Sequence, residues 1–172
     1  MLQLVTETDF DDVFEIMENS FPPDEYRDYI SQKALLCENR YKLFCLKNSG
    51  RVLAFIAVWE FDEFVFVEHF AVDKSLRGKG MGTNILSELK ERFNKQLCLE
   101  VEPPVNEITK RRVGFYERNG LYLNEYDYVQ PAMLEGKNPI PLMIMSSDSH
   151  LNKDRFELIK NVLYKEVYKV IS

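Results

Sequence analysis

Hydrophobic residues recur along the chain with two periods, and these periods predict an order of strands and helices. Apolar or alternating runs predict strands at 2–4, 41–47, 51–61, 64–73, 96–104, 121–130 and 139–146. Apolar residues at helical spacing predict helices at about 8–20, 24–37, 80–93 and 105–120, and a last amphipathic stretch at 151–172. The pattern therefore predicts a single mixed α/β domain.

Local signals predict where several of these elements begin and end. Thr8 and Asp11 have the spacing of a capping box for the first helix, and Asp24, after two prolines, is the expected cap of the second. The sequence NSG at 48–50 predicts a hairpin turn, and Gly120 is placed as a C-terminal cap.

Composition and charge exclude several classes of protein. The 172 residues suit one domain, and the net charge of −6 argues against a general nucleic-acid binder. Cys37, Cys45 and Cys98 lack the spacing of a disulfide framework or a zinc site, so we expect reduced thiols and no metal. Without a signal peptide or a membrane-length apolar run, we expect a soluble cytoplasmic protein that does not bind membranes.

The stretch AVDKSLRGKGMGTNIL, residues 71–86, places a glycine-rich turn between a predicted strand and a predicted helix. Such a turn offers free backbone N–H groups and the positive end of a helix dipole to a phosphate. The spacing is not that of a P-loop, and Thr83 stands where a dinucleotide fingerprint has its third small residue. The turn therefore predicts phosphate binding of another kind.

Two motifs in this order resemble those of the GCN5-related N-acetyltransferases (GNAT). The first is Arg77-x-x-Gly80-x-Gly82, and the second is the stretch 101–121, in which a strand leads to a helix containing Tyr116 and followed by Gly120. The resemblance covers residues 1–147 and implies a single mixed, mostly antiparallel central sheet of about seven strands flanked by helices. Residues 148–172 would form a C-terminal helical extension that packs on the domain or on a partner.

The resemblance implies acetyl-CoA as the cofactor and assigns two segments to it. The turn would wrap the pyrophosphate, and the backbone of the strand before it would pair with the pantetheine arm. Relatives often contact the cofactor through an asparagine where Thr109 stands here, so Asn106, three residues earlier, is the candidate for that contact. The predicted cofactor-binding residues are Phe70, Ala71, Val72, Arg77, Gly78, Lys79, Gly80, Met81, Gly82, Thr83, Asn106 and Tyr116.

The resemblance places Tyr116 at the general acid, where a tyrosine with a pKa of about 10 stays protonated at neutral pH. Glu100 is the first candidate for the base that deprotonates the amine, and Glu68 is its rival. Either carboxylate is equally well explained by a structural ion pair with Arg112 or another cation. His69 is expected to pack or to form a hydrogen bond.

The predicted reaction is direct transfer of an acetyl group from acetyl-CoA to a primary amine in a ternary complex. The acidic charge favours a small cationic amine, entering between residues 21–28 and the sixth and seventh strands, where Tyr126 and Tyr128 would line a wall. The alternatives are a coenzyme A-binding or protein-interaction module without transferase activity, and a peptide or protein N-acetyltransferase. We expect a monomer or a homodimer, with a tail stripe of Phe156, Ile159, Leu163, Val167 and Val170 that packs on the domain or forms a dimer contact.

Overall fold

The computed structural model describes residues 1–171, which form two compact units, one ending at Leu97 and one beginning at Cys98. The expected fold class is confirmed: the chain is mixed α/β, with a mostly antiparallel sheet of seven strands flanked by helices. The strands are β1 Gln3–Leu4, β2 Tyr41–Asn48, β3 Arg51–Glu60, β4 Phe64–Val72, β5 Gln96–Val101, β6 Leu121–Gln130 and β7 Ile140–Ser147. The helices are α1 Phe10–Ser20, α2 Tyr29–Ala34, α3 Met81–Phe93, α4 Glu107–Arg118 and α5 Lys153–Val162.

In the first unit, strands β1 to β4 lie in chain order and pair antiparallel. The hairpin between β2 and β3 turns on Ser49 and Gly50, which both have positive φ (51° and 81°), as expected for a two-residue turn of this twist. Between β3 and β4 the register shifts, because Ala57 pairs with His69 whereas Val58 pairs with Val67. Glu68 is therefore the extra residue of a β-bulge.

Both expected caps in the N-terminal segment are wrong. The carboxylate of Asp9 precedes α1 but accepts hydrogen bonds from Thr6 and pairs with Lys47, so no capping box forms from Thr8 and Asp11. Asp28, not Asp24, caps α2 by accepting from the amide of Ser31 at 2.8 Å. Asp24 lies instead in the 3₁₀ turn Pro23–Glu25, because the prolines delay the start of a regular helix.

In the second unit, β7 lies between β5 and β6 and pairs antiparallel with both. Asn106 caps α4 through a capping box with Thr109, and Gly120 has a φ of 80° directly after the helix ends, as its sequence position predicts. The helix then leads directly into β6.

The C-terminal segment packs within the second unit. Phe156, Ile159, Leu163 and Val167 are buried, as the predicted stripe requires, and the Phe156 ring stacks on Tyr126 with 4.6 Å between ring centroids. Val170 was expected on the same stripe but is 51% exposed, because the helix ends before it. After α5 the chain continues as a π-helical turn, Leu163–Val167.

None of the helices between residues 1 and 171 is both long enough and apolar enough to cross a membrane. Within the same range, no group of three or more His, Cys, Asp or Glu side chains is arranged to hold a metal ion.

Candidate active site

The glycine turn of the first unit has the backbone geometry that the sequence suggested. Gly78 and Gly80 both have a φ of 77°, and Gly80 is the residue before α3. A Cβ atom at either position would meet no other heavy atom within 4 Å, so the turn faces open space. The first amides of a helix have no partner within that helix. The amides that open α3 and the flexible glycines are therefore a donor set that fits the pyrophosphate of coenzyme A.

Arg77 and Lys79, the cations of this turn, are both exposed. The Nε of Arg77 donates to the carbonyl of Val72 at 3.1 Å, so the side chain folds back over the end of β4. Asp73, which follows Val72 in sequence, accepts a hydrogen bond from the amide of Ser75 and forms an ion pair with Arg51 at 2.9 Å. The hydrogen bonds from Ser75 hold the pKa of Asp73 below its ordinary value.

The strand residues proposed for the pantetheine arm lie at the end of β4. Phe70, Ala71 and Val72 are paired with Ile56, Phe55 and Ala54 of β3. Ala71 is buried and the other two are half-buried, which agrees with the expectation that their side chains belong mostly to the core.

Glu68, the second candidate for the catalytic base, forms an ion pair inside the first unit. Its Oε1 lies 2.9 Å from Nη1 of Arg27, and the two side chains are 0% and 6% exposed. The two charges are close, although the groups are not aligned as a hydrogen bond. Because an unpaired carboxylate is very unfavourable at such a site, Arg27 gives Glu68 a sufficient structural reason to be there.

His69 is buried beside this pair and stays neutral. Its Nε2 lies 2.7 Å from the carbonyl of Glu25, which only accepts, so this nitrogen carries the proton. Burial lowers the pKa of the imidazole, an effect that the nearby Glu68 carboxylate opposes. The ring also packs edge-on against Phe21. His69 thus packs and forms a hydrogen bond, as the sequence predicted.

Glu100, the first candidate for the base, lies on β5 among tyrosines of the second unit. The hydroxyl of Tyr168 is 2.7 Å from Oε1 and 2.8 Å from Oε2, and the hydroxyl of Tyr128 donates to Oε1 through a short hydrogen bond. Burial and the Glu100 carboxylate raise the pKa of Tyr128 well above its ordinary value. Tyr128 therefore remains a neutral donor to the carboxylate.

Glu102, two residues along, is partly exposed and pairs with Arg112 of α4 at 2.8 Å. This is the ion pair that the sequence left open for these carboxylates, and it involves Glu102 rather than Glu100.

Tyr116, the candidate acid, lies near the end of α4 with its ring against Phe115. Burial raises the pKa of its hydroxyl to about 12, an effect that Arg112 partly offsets. Asn106, the candidate for a cofactor contact, lies at the other end of α4, and its side-chain oxygen accepts from the Thr109 amide at 3.0 Å. That oxygen serves the helix cap.

Three important contacts were absent from the sequence-based site. Arg27 belongs to the segment 21–28 that was expected only to border the acceptor entrance, and Tyr168 is next to the predicted tail stripe. Tyr128 was expected to line a wall but is buried against Glu100. A buried carboxylate on an apolar strand signals that a partner exists. Nothing in the sequence says which residue that partner is.

A sequence profile of the acetyltransferase (GNAT) family matches residues 9–121. The chain belongs to the GNAT family. The match covers the first helix, the glycine turn and the helix of Tyr116, so both motifs lie within the region that defines membership.

Relatives of this GNAT chain agree with that assignment. The Bacillus subtilis protein YjbC, which carries the name "putative acetyltransferase", is 34% identical over 107 residues, or 61% of this chain. The matched part spans only about half, 54%, of YjbC. A solved GNAT-family structure from Bacteroides thetaiotaomicron is 35% identical, covers 99% of each chain and has a TM-score of 0.87.

A more distant solved structure shares the fold alone. It is an aminoglycoside 6'-N-acetyltransferase complexed with coenzyme A, and it is 13% identical with a TM-score of 0.61. The likeness covers 86% of this chain and 96% of that one.

Proposed function

We propose that this protein transfers an acetyl group from acetyl-CoA to a primary amine. The observation that carries the proposal is the glycine turn before α3, with positive φ at Gly78 and Gly80, in a chain of the GNAT family. The complex of a structural neighbour with coenzyme A supports the same cofactor for this fold. Residues Arg77 to Thr83 would hold the pyrophosphate, and the backbone of Phe70 to Val72 the pantetheine arm.

Bound acetyl-CoA would supply a thioester, and transfer would exchange its C–S bond for a bond between the acetyl carbon and the amine nitrogen. Glu100, directly or through a water, takes the proton that the attacking amine loses. Tyr116, a phenol whose raised pKa keeps it protonated at neutral pH, would donate a hydrogen bond or its proton to the departing thiolate. Where the proton is transferred, solvent would return one to the tyrosinate.

Glu68 is the second candidate for the base, and the structure favours it less. Its charge is matched by Arg27 and its side chain has no exposed surface. Glu100, by contrast, is only partly buried, and tyrosine hydroxyls donate hydrogen bonds to it.

The acceptor we propose is a small cationic amine, and the acting form is a monomer or a homodimer. The chain carries a net charge of −6, which favours a positively charged substrate by long-range attraction. A structural neighbour named for aminoglycosides, which are amines, agrees with this class. A peptide N-terminus is the alternative acceptor.

The decisive experiment measures thiol release from acetyl-CoA with a panel of a polyamine, an aminoglycoside, a lysine peptide and a peptide with a free N-terminus. We expect turnover with at least one small amine, and a fall of about 100-fold in kcat for Tyr116→Phe with coenzyme A affinity unchanged. Tyr122→Phe, an exposed tyrosine on β6, is the matched control and should retain its kcat. Binding of acetyl-CoA without any Tyr116-sensitive turnover would instead identify a coenzyme A-binding module.

A further inference from the structure

The π turn Leu163–Val167 that follows α5 changes which side chain lies on the buried face of the C-terminal segment. The amide of Tyr168 donates to the carbonyl of Leu163, five residues earlier, at 3.0 Å. In a regular α-helix, residues five apart are rotated by about 140° from each other, so Tyr168 would point away from the face of Leu163. In the wider π turn each residue rotates by a smaller angle, so residues five apart lie nearer to the same face. Tyr168 therefore joins the buried face and is only 6% exposed.

As a result of this turn, the Tyr168 hydroxyl donates a hydrogen bond to Glu100, which lies 68 residues earlier in the chain. The hydroxyl lies 2.7 Å and 2.8 Å from the two carboxylate oxygens, so it lies across both. The hydroxyl of Tyr128 from β6 also donates to Glu100, whereas Tyr164 lies farther away and its hydroxyl donates to the carbonyl of Val129. On β7, the residue in register with Glu100 is the apolar Ile144.

Hydroxyl donors have two physical effects on a strand glutamate. They fix the orientation of a side chain that otherwise rotates freely, and they stabilise the ionised form that a base requires. We propose that Tyr168, which follows the C-terminal π turn, is a positioning residue for Glu100. This inference rests on the proposed function, because it requires Glu100 to act on the amine.

The test compares Tyr168→Phe with Tyr164→Phe in the full chain. Tyr164 is the matched control because its hydroxyl, on the same turn, donates to the backbone carbonyl of Val129 rather than to Glu100. For Y168F we expect kcat to fall about tenfold, with KM for acetyl-CoA within about twofold, since one charge-assisted hydrogen bond is lost. The acid limb of the kcat/KM profile should move to higher pH, because the carboxylate is less stabilised. Y164F should retain both kcat and the profile.

A double-mutant cycle separates positioning from a general structural effect. In a Glu100→Gln background, adding Y168F should lower kcat no further, because the carboxylate that it positions is gone. Independent, multiplicative losses would overturn the proposal. So would wild-type kcat and an unshifted pH profile for Y168F in an enzyme that transfers acetyl to an amine.

Two further results keep the inference distinct from the proposed function. If the wild-type protein acetylates no amine, both the proposed function and the inference are wrong. If the wild-type protein is active and Y168F has the same kcat and pH profile, only the inference is wrong. If Y168F does not fold, 3-fluorotyrosine at position 168 replaces it, because the ring and hydroxyl are kept and the hydroxyl is a stronger donor. The acid limb should then move to lower pH, and no movement would overturn the positioning role.

Discussion

The guanidinium of Arg27 lies 2.9 Å from the carboxylate of Glu68, and both side chains are buried in the first unit. Arg27 comes from the segment between α1 and α2, whereas Glu68 is the bulge residue of β4. The pair therefore ties the N-terminal helical segment to the sheet.

Removing one partner of this pair should strongly destabilise the protein. We expect Arg27→Met to lower the free energy of unfolding by about 3–5 kcal/mol, because it leaves the Glu68 charge buried and uncompensated. The double variant Arg27→Met/Glu68→Leu should recover most of that loss, as measured by urea unfolding. An activity assay on the double variant then tests the base: transfer that survives in it rules out Glu68, and transfer that is abolished in the folded double variant would contradict our preference for Glu100.

Adding a Cβ atom to the glycine turn should weaken the binding of the cofactor. Gly80→Ala places an alanine at a φ of 77°, which costs about 1–2 kcal/mol of strain, and we expect coenzyme A to bind about tenfold more weakly. Gly50→Ala is the matched control, because Gly50 has a φ of 81° in the β2–β3 hairpin and equally open surroundings. Both variants should melt at similarly lowered temperatures, while calorimetry detects weakened binding only for G80A. Equal affinities in the two variants would contradict the assignment of the pyrophosphate.

The two glutamates at the end of β5 should behave differently. Glu100→Gln removes the proposed base, and we expect kcat to fall by at least about 100-fold. Glu102→Gln is the control, since it breaks a partly exposed ion pair with Arg112 that contributes at most about 1 kcal/mol to stability. Steady-state kinetics with the preferred amine compare kcat of the two variants. A comparable loss in both would show that negative charge in this region is required, rather than Glu100 itself.

His69 should make the protein sensitive to mild acid. Because burial lowers the pKa of His69 in the folded state, the unfolded chain binds more protons once the pH falls below about 6.5. The free energy of unfolding is therefore not lowered by His69 above that pH. Below it, protonation of His69 in the unfolded chain lowers the free energy of unfolding by up to about 1.4 kcal/mol per pH unit.

The measurement is urea unfolding between pH 7.5 and 5, above the range in which carboxylates titrate. His69→Gln should remove most of the decline, since the amide can still donate to the Glu25 carbonyl. His150→Gln, at an exposed position, should leave the decline in place. A wild-type protein that is equally stable at pH 5 and 7.5 would contradict the prediction.

Within single elements, the sequence predicted most of what the structure shows. The glycine turn, the hairpin at Ser49 and Gly50, and the cap at Gly120 each depend on local backbone chemistry, so their positions could be predicted from a few neighbouring residues. The two capping errors near the N-terminus have a different cause. The carboxylate of Asp9 accepts hydrogen bonds from Thr6 and from Lys47, which lies 38 residues away in sequence. A tertiary contact therefore overrode a local signal.

The sequence by itself determined the family, the turn that fits a pyrophosphate and the carboxylates worth testing, because these are properties of residue type and short spacing. Only the tertiary structure decided the partners of those carboxylates: Arg27 for Glu68, and Tyr128 with Tyr168 for Glu100. These pairs join residues between 28 and 68 positions apart. Such contacts depend on the bulge in β4 and the π turn at the C-terminus, which shift side-chain register in ways that regular strand and helix periods do not encode.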